Sequence, residues 1–505
     1  MTGIDAARID QRAPRFADRT AIVDADGPTS FRELDRAAHR VARTLLDGRE
    51  SLHEARIAFL HPPGRHWVAA QWGIWRAGAM AVPLAASHPL PELDFVLQDA
   101  DPAALIASAS FAARLHPLAA ARSLPLCLDD EIFSQSEEIS DVAAARVGPD
   151  GRALMLYTSG TTGKPKGVVT THANIRAQIT TLVAAWGWTE ADRVLHVLPL
   201  HHVHGIINVL GCALWAGACC EFLPSFEQAL AWDRLASGEI TVFMAVPTVY
   251  HRLIAAWDAA SPGVRRAWSA GSAGLRLMVS GSAALPVRTL QRWREITGHI
   301  LLERYGMTEI GMALSNPLEG ERRAGTVGRP LPGVEARLTD DAGRPVPPGT
   351  AGQIEIRGPQ VFHEYWRRPD ETARAFRDGW FLTGDEAVVE SGYWRILGRR
   401  STDIMKSGGY KISALEIEEC LRGHEAVQDC AVVSVPDEDL GECVAAAVVA
   451  RSPLDADSLR EWLRERLAPY KVPRQLRLVR ELPRNAMGKV VKLDVQALFA
   501  ARDPS

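Results

Sequence analysis

The sequence predicts an α/β protein with two parts: a large N-terminal domain of layered β-sheets and helices, and a small α+β C-terminal domain. Three observations carry that expectation. The chain has 505 residues, whereas a single hydrophobic core stops growing at roughly 250–300. Over the first two-thirds, short β-type runs alternate with runs of helical period, the pattern of helices layered on largely buried, partly parallel strands. Near residue 400 the pattern changes to a compact unit with its own helices and strands.

Taken in order, RIAFL (56–60) reads as a strand, His66 to Arg76 as a helix and AMAVPL (79–84) as a second strand. LRLMVS (275–280) reads as another strand, and Val287, Leu290, Trp293 and Ile296 fall at helical spacing before a stop at Gly298. Ile300 to Leu302 then forms a short buried strand that delivers Arg304 and Tyr305 to its carboxyl end, where open α/β sheets bind ligands. Beyond GRRSTD (398–403), SALE (413–416) is a capping box for a helix through about Leu421. AVVSV (431–435), VAAAVVA (444–450) and QLRLV (475–479) are strands, and Leu459, Trp462, Leu463 and Leu467 mark one face of a helix. The domains are therefore expected at 1–398 and 399–505, with a hinge at 398–404.

Composition excludes several classes of function. Hydrophobic residues make up 47% and charged residues 23%, with a formal net charge of −4, so neither nucleic acid nor an anionic membrane is an expected partner. Seven cysteines without CxxC or metal-type spacing suit reduced thiols better than a disulfide framework. The N-terminus is charged where a signal peptide is apolar, and no uninterrupted run of about 18 apolar residues occurs, so the expectation is a cytoplasmic protein with no membrane insertion. Oligomeric state is not legible.

The strongest chemical signal is YTSGTTGKPKGVV, Tyr157 to Val169. Its hydroxyls, glycines and lysines offer backbone N–H groups, hydroxyl donors and cations that together wrap a polyphosphate. It is not a Walker A loop, because Pro165 disfavours helix at Lys164. A cluster of His201, His202 and His204 lacks a fourth ligand at metal spacing.

That loop resembles the signature of the adenylate-forming acyl-CoA synthetases. SGSAAL (280–285), RYGMTE (304–309), FLTGDE (381–386), GRRSTD (398–403), KSGGYK (406–411) and PRNAMGKVVK (483–492) follow in that family's order, so the resemblance covers essentially the full chain. It implies ATP and coenzyme A as cosubstrates, Mg²⁺, an acyl-AMP intermediate and a small domain that rotates between half-reactions. It further implies that Thr158, Ser159, Gly160, Thr161, Thr162 and Lys166 hold the ATP phosphates. Tyr305 would stack on adenine, and Gly306 and Met307 would also bind ATP; Thr308 would touch phosphate and Glu309 would hold Mg²⁺. Asp385 would accept the ribose hydroxyls with help from Arg399. Lys489 would stabilise the charge that builds at the α-phosphate. Ser407, Gly408 and Gly409 would line the pantetheine tunnel after rotation. GRRSTD carries one more residue than the family's usual GRxKD or GRxDD, which leaves the pivot open among Arg400, Ser401 and Thr402.

Arg304 departs from most of that family, which has small, apolar or aromatic residues before the YGxTE tyrosine. With Arg252 from AVPTVYHRL (245–253) it offers two guanidiniums to one acyl pocket, and two cations want an anion. A dicarboxylate satisfies both: one carboxylate is adenylated, the other gripped by Arg252 and Arg304, with Ser282 as a further donor. ERYGMTE, LPLHHVHG (198–205), SGSAAL and AGTVGRPLPGV (324–334) resemble the malonyl-CoA synthetase subfamily. That resemblance places His202 at the acyl pocket and Met312 near its floor, and implies malonate, or methylmalonate, as the acid.

Overall fold

In the computed structural model, residues 8–133, 145–158, 165–407, 410–437, 440–484 and 488–500 are described. The large domain is built on two sheets that share a helical layer. One has nine strands, with Leu302–Met307, Leu277–Ser280, Val242–Ala245, Arg193–His196, Cys219–Phe222 and Thr20–Asp24 side by side and parallel. The other has seven, centred on Arg152–Thr158, Met80–Pro83, Arg56–Leu60 and Ala104–Ala107, again parallel. Helices Phe31–Leu46 and Arg65–Arg76 belong to the largest core, the second burying Trp67, Trp72 and Trp75. Continuous apolar runs such as RIAFL suit strands covered on both faces.

A third sheet, antiparallel, joins Glu335–Thr339, Gly352–Arg357, Phe376–Arg377, Trp380–Glu390 and Tyr393–Arg399. Its last strand runs straight into the small domain. There Val427–Asp437 and Gly441–Ala450 pair antiparallel, with Gln475–Leu478 added parallel. Helix Ala414–Arg422 closes a core of Ile417, Leu421, Val432, Ala446, Val448 and Leu459.

Most expected elements lie within a residue or two of their sequence positions; the strands expected at 431–435 and 444–450 run longer, over Val427–Asp437 and Gly441–Ala450, and three further expectations differ for physical reasons. The strand expected at 300–302 runs over Leu302–Met307, so Arg304 and Tyr305 sit inside it. It pairs parallel with Leu277–Ser280 through Glu303, then antiparallel with Gly311–Ser315, and the return strand prolongs it. Ser413 caps its helix by accepting from the Glu416 N–H at 3.2 Å, but the Glu416 carboxylate turns to Lys471 Nζ at 2.6 Å and does not complete the box. Leu467 lies beyond the helix, which ends at Arg464.

Candidate active site

A cleft of about 2890 Å³ opens between the two domains, walled by the carboxyl end of the nine-stranded sheet, by the third sheet and by the small domain. The strand Leu302–Met307 forms its centre. Successive side chains on a strand point to opposite faces, and here the alternation separates two charges. Glu303 accepts from the Leu285 N–H at 3.3 Å, and burial, with the charge of Glu419 adding to it, pushes its carboxyl up to about 8. Arg304 faces the cleft.

Arg304 is 2% exposed, and among the described residues Nε, Nη1 and Nη2 have no hydrogen-bond acceptor. Burial pushes its guanidinium down to about 9, and only Tyr250 pulls the other way. Gly281 makes the slot: a Cβ there would stand 2.4 Å from Arg304 Cζ. Tyr250 is itself fixed by donating to the Val279 carbonyl at 2.8 Å. Ser282 holds a left-handed φ of 68°, and its Oγ lies 3.2 Å from His204 Nδ1. His204 is buried, its pKa held well below the usual histidine value by burial and then by Arg304, and its Nε2 also lacks a partner among the described residues. A buried cation with no counter-ion is costly unless an anion arrives.

The other expected acyl residues surround this point. Met312 is buried, with its N–H donated to Gln178 Oε1 at 2.9 Å. His202 is half-buried, and burial followed by the Lys489 charge pushes it down to about 4. Arg252 lines the same cleft from helix Pro247–Ala259, but it is exposed and its guanidinium rests 5.5 Å over the Phe226 ring. The two arginines therefore differ in setting: one is buried and unsatisfied, the other solvated.

Tyr305 donates to Asp385 Oδ2 at 2.5 Å, and Arg399 Nε donates to Asp385 Oδ1 at 2.9 Å. Gly306, Met307 and Thr308 continue the wall. Glu309 is buried and its pKa is raised by desolvation, with Tyr365 donating its phenol to Oε1 at 3.0 Å. Thr158 ends one strand and Lys166 begins the next, so they frame the loop from both sides. Lys166 is paired with Glu371 and lies 5.2 Å over Tyr365. Ser159, Gly160, Thr161 and Thr162 lie outside the described residues, as do Gly408 and Gly409.

Lys489 reaches the cleft from the small domain, exposed to its solvent, with its pKa lowered by desolvation and by Arg399. Ser407 ends the strand Ile404–Ser407, is buried, and is not among the cleft-lining residues. Among the described residues no group of three or more His, Cys, Asp or Glu could hold a metal by itself. Sequence reasoning missed Tyr365, Glu371 and Gly281, and saw His204 only as part of a histidine run. Nothing local marks the first two, which come from a segment more than fifty residues away. His204 could have been found from its place two residues after His202.

The chain resembles known proteins along nearly its whole length. The family model for AMP-binding enzymes matches residues 9–366, and that for the AMP-binding enzyme C-terminal domain matches 416–489. Mitochondrial malonate–CoA ligase ACSF3 of Xenopus laevis is 44% identical, over 97% of this chain and 91% of that protein. The solved structure of ATP-bound MatB from Rhodopseudomonas palustris is 36% identical, with a TM-score of 0.89 over 98% of this chain and 99% of that one. Apo MatB from the same organism, at 35% identity and the same coverage, superposes at a TM-score of only 0.79. At matched identity and coverage, the arrangement here is the more like the ATP-bound one.

Proposed function

We propose, from the premise that this chain belongs to the AMP-binding enzyme family, that it joins malonate to coenzyme A by way of malonyl-AMP, releasing pyrophosphate and AMP. The observation that carries the substrate is Arg304, a buried guanidinium facing the cleft with no acceptor among the described residues. A monocarboxylate would leave it stranded. The distal carboxylate of malonate supplies the missing anion, and the planar fork of arginine matches it. The malonate–CoA ligase relative at 44% identity supports the same acid. Ser282 and His204 offer further polar atoms beside it, Met312 and His202 bound the pocket, and Arg252 stands at its exposed side.

Adenylation begins when an oxygen of the proximal carboxylate attacks the α-phosphorus. A P–O bond forms, the bond to the β-phosphate bridging oxygen breaks, and pyrophosphate leaves with that electron pair. Lys489 approaches from the small domain and offsets the negative charge on the phosphoryl oxygens in the transition state. Asp385 accepts the ribose hydroxyls once Tyr305 swings from it onto adenine, and Arg399 stays on its second oxygen. Thr158, Lys166 and the intervening loop take the phosphates, Lys166 exchanging Glu371 for a phosphate oxygen. Thr308 joins them.

Glu309 suits Mg²⁺. Its carboxylate is buried, and that ion takes one or two carboxylates alongside substrate phosphates. When bound, Mg²⁺ would neutralise charge on the triphosphate. In the second half-reaction the CoA thiol gives up its proton to water and its sulfur attacks the malonyl carbonyl; a C–S bond forms, the acyl C–O bond to the phosphate breaks, and AMP departs with that electron pair. Rotation of the small domain, 399–505, against the body, 1–398, withdraws Lys489 and brings Ser407 with its neighbouring glycines toward the incoming thiol.

The test is CoA-dependent AMP formation with malonate, methylmalonate, succinate, acetate and butyrate, for the wild type and Arg304→Ala. Malonate is expected to be preferred and to lose at least about 100-fold in kcat/KM in the variant, as for a broken buried pair of roughly 3–5 kcal/mol. A wild type that prefers acetate or butyrate, or a variant that keeps its malonate preference, overturns the reading.

A further inference from the structure

The helix Val287–Thr297 starts at the cleft wall without a cap of its own. Its N-cap residue is Pro286, which makes no side-chain cap, and no acidic residue stands in its first turn. The first amides of a helix need acceptors, and its N-terminus favours negative charge. The acceptor that the Val287 N–H finds is Glu419 Oε1 at 3.0 Å, and Glu419 belongs to helix Ala414–Arg422 of the small domain. Two residues earlier, the Leu285 N–H is taken by Glu303 from within the large domain. The turn 285–287 is thus tied once to each domain. Only Ala283 and Ala284 separate it from Ser282, whose Oγ meets His204 beside Arg304.

We propose that Glu419 is a positioning residue: by capping this helix across the domain interface it holds the small domain where Lys489 meets the adenylation site. This deepens the two-step reading above and rests on it. Rotation for the second half-reaction breaks the bond, so the contact favours the first half-reaction alone. A carboxylate that merely stabilised the small domain would act on both equally.

The experiment compares wild type, Glu419→Ala and Glu419→Gln in two assays. The first is malonate-dependent ATP–pyrophosphate exchange. The second preloads the enzyme with malonyl-adenylate, using ATP and pyrophosphatase, and follows thioester formation on addition of CoA. Glu419→Ala should lower the exchange rate about tenfold, the loss of one charge-assisted hydrogen bond, and leave thioester formation within about twofold of wild type. Glu419→Gln keeps an acceptor oxygen and should recover part of the exchange. Equal loss in both assays, or none in either, overturns the proposal.

Amide hydrogen exchange across 285–297 in the protein saturated with ATP, without malonate or CoA, supplies a readout independent of turnover. Faster exchange in Glu419→Ala is expected, and unchanged exchange refutes the cap. A wild type inert toward malonate while the exchange difference persists would sink the functional reading and leave the cap standing.

Discussion

At the scale of single residues, Arg304 shows why a binding site is a poor place for stability. Its guanidinium is buried among Gly281, Tyr250 and His204 with no acceptor among the described residues, and burial has brought its pKa down toward 9. Removing an unpaired buried cation relieves desolvation, and well-packed apolar replacements of buried charges commonly stabilise by about 1–4 kcal/mol. Arg304→Met should therefore raise the unfolding temperature of the ligand-free protein by a few degrees while abolishing malonate turnover. Saturating malonate should raise the melting temperature of the wild type, because a ligand that binds only the folded state stabilises it, and should leave the variant unmoved. A variant that melts lower than wild type would mean that Arg304 is structural, stabilising the ligand-free fold rather than waiting for an anion. Arg252 offers the control: it is exposed and rests on Phe226, so Arg252→Met should change melting little.

At the scale of the element, the site depends on how one strand is bent. Register shifts between Tyr305 and Gly306 as Leu302–Met307 pairs with Gly311–Ser315, and a Cβ on Gly306 would fall 2.1 Å from the Gly311 carbonyl oxygen. Backbone cannot yield there as a flexible side chain would. Gly306→Ala should cost about 1–3 kcal/mol, as overpacking does, and should weaken ATP use more than malonate selectivity, since Tyr305, Thr308 and Glu309 flank the bulge. Steady-state KM values for the two substrates, with melting curves, decide it; an alanine variant of wild-type kinetics would show that the bulge is not needed. Much of this element was legible in the sequence. The period of 287–298, its glycine stop and the motif residues 304–309 were local signals, and the structure confirms the helix with its left-handed end at Gly298. The sequence shows only the first part of the strand, because its second half owes its existence to pairing with a partner later in the chain, which no local period reveals. Arg304 was legible as a cation out of place; its slot at Gly281 and its histidine neighbour were not, since both come from other strands and loops.

At the scale of the whole molecule, buried titratable groups set opposing pH limits on the fold. His61, His172 and His196 are buried, and desolvation pushes each down to about 4 from an ordinary 6.5. Between those values the unfolded chain binds protons that the folded one refuses, so stability falls as pH drops from 6.5 toward 4, by at most about 1.4 kcal/mol per pH unit for each histidine. Glu303 acts in the opposite sense. Its folded pKa is raised to about 8 from 4.5, so over that interval the folded state holds a proton that the unfolded chain releases, and stability falls as pH rises. Glu309, raised by desolvation as well, adds to that slope. From 4.5 to 6.5 these three histidines, joined by His201, His202 and His204, outweigh the carboxyls; above 6.5 the slope is that of Glu303. Stability of the ligand-free protein should therefore peak near pH 6.5. Thermal unfolding from pH 4.5 to 8.5 tests this, and Glu303→Gln separates the limbs, because its amide keeps an acceptor for the Leu285 N–H yet cannot ionise. The variant should lose much of the decline between pH 6.5 and 8 and keep the acid limb intact; an unaltered decline would assign the alkaline limit to groups other than Glu303.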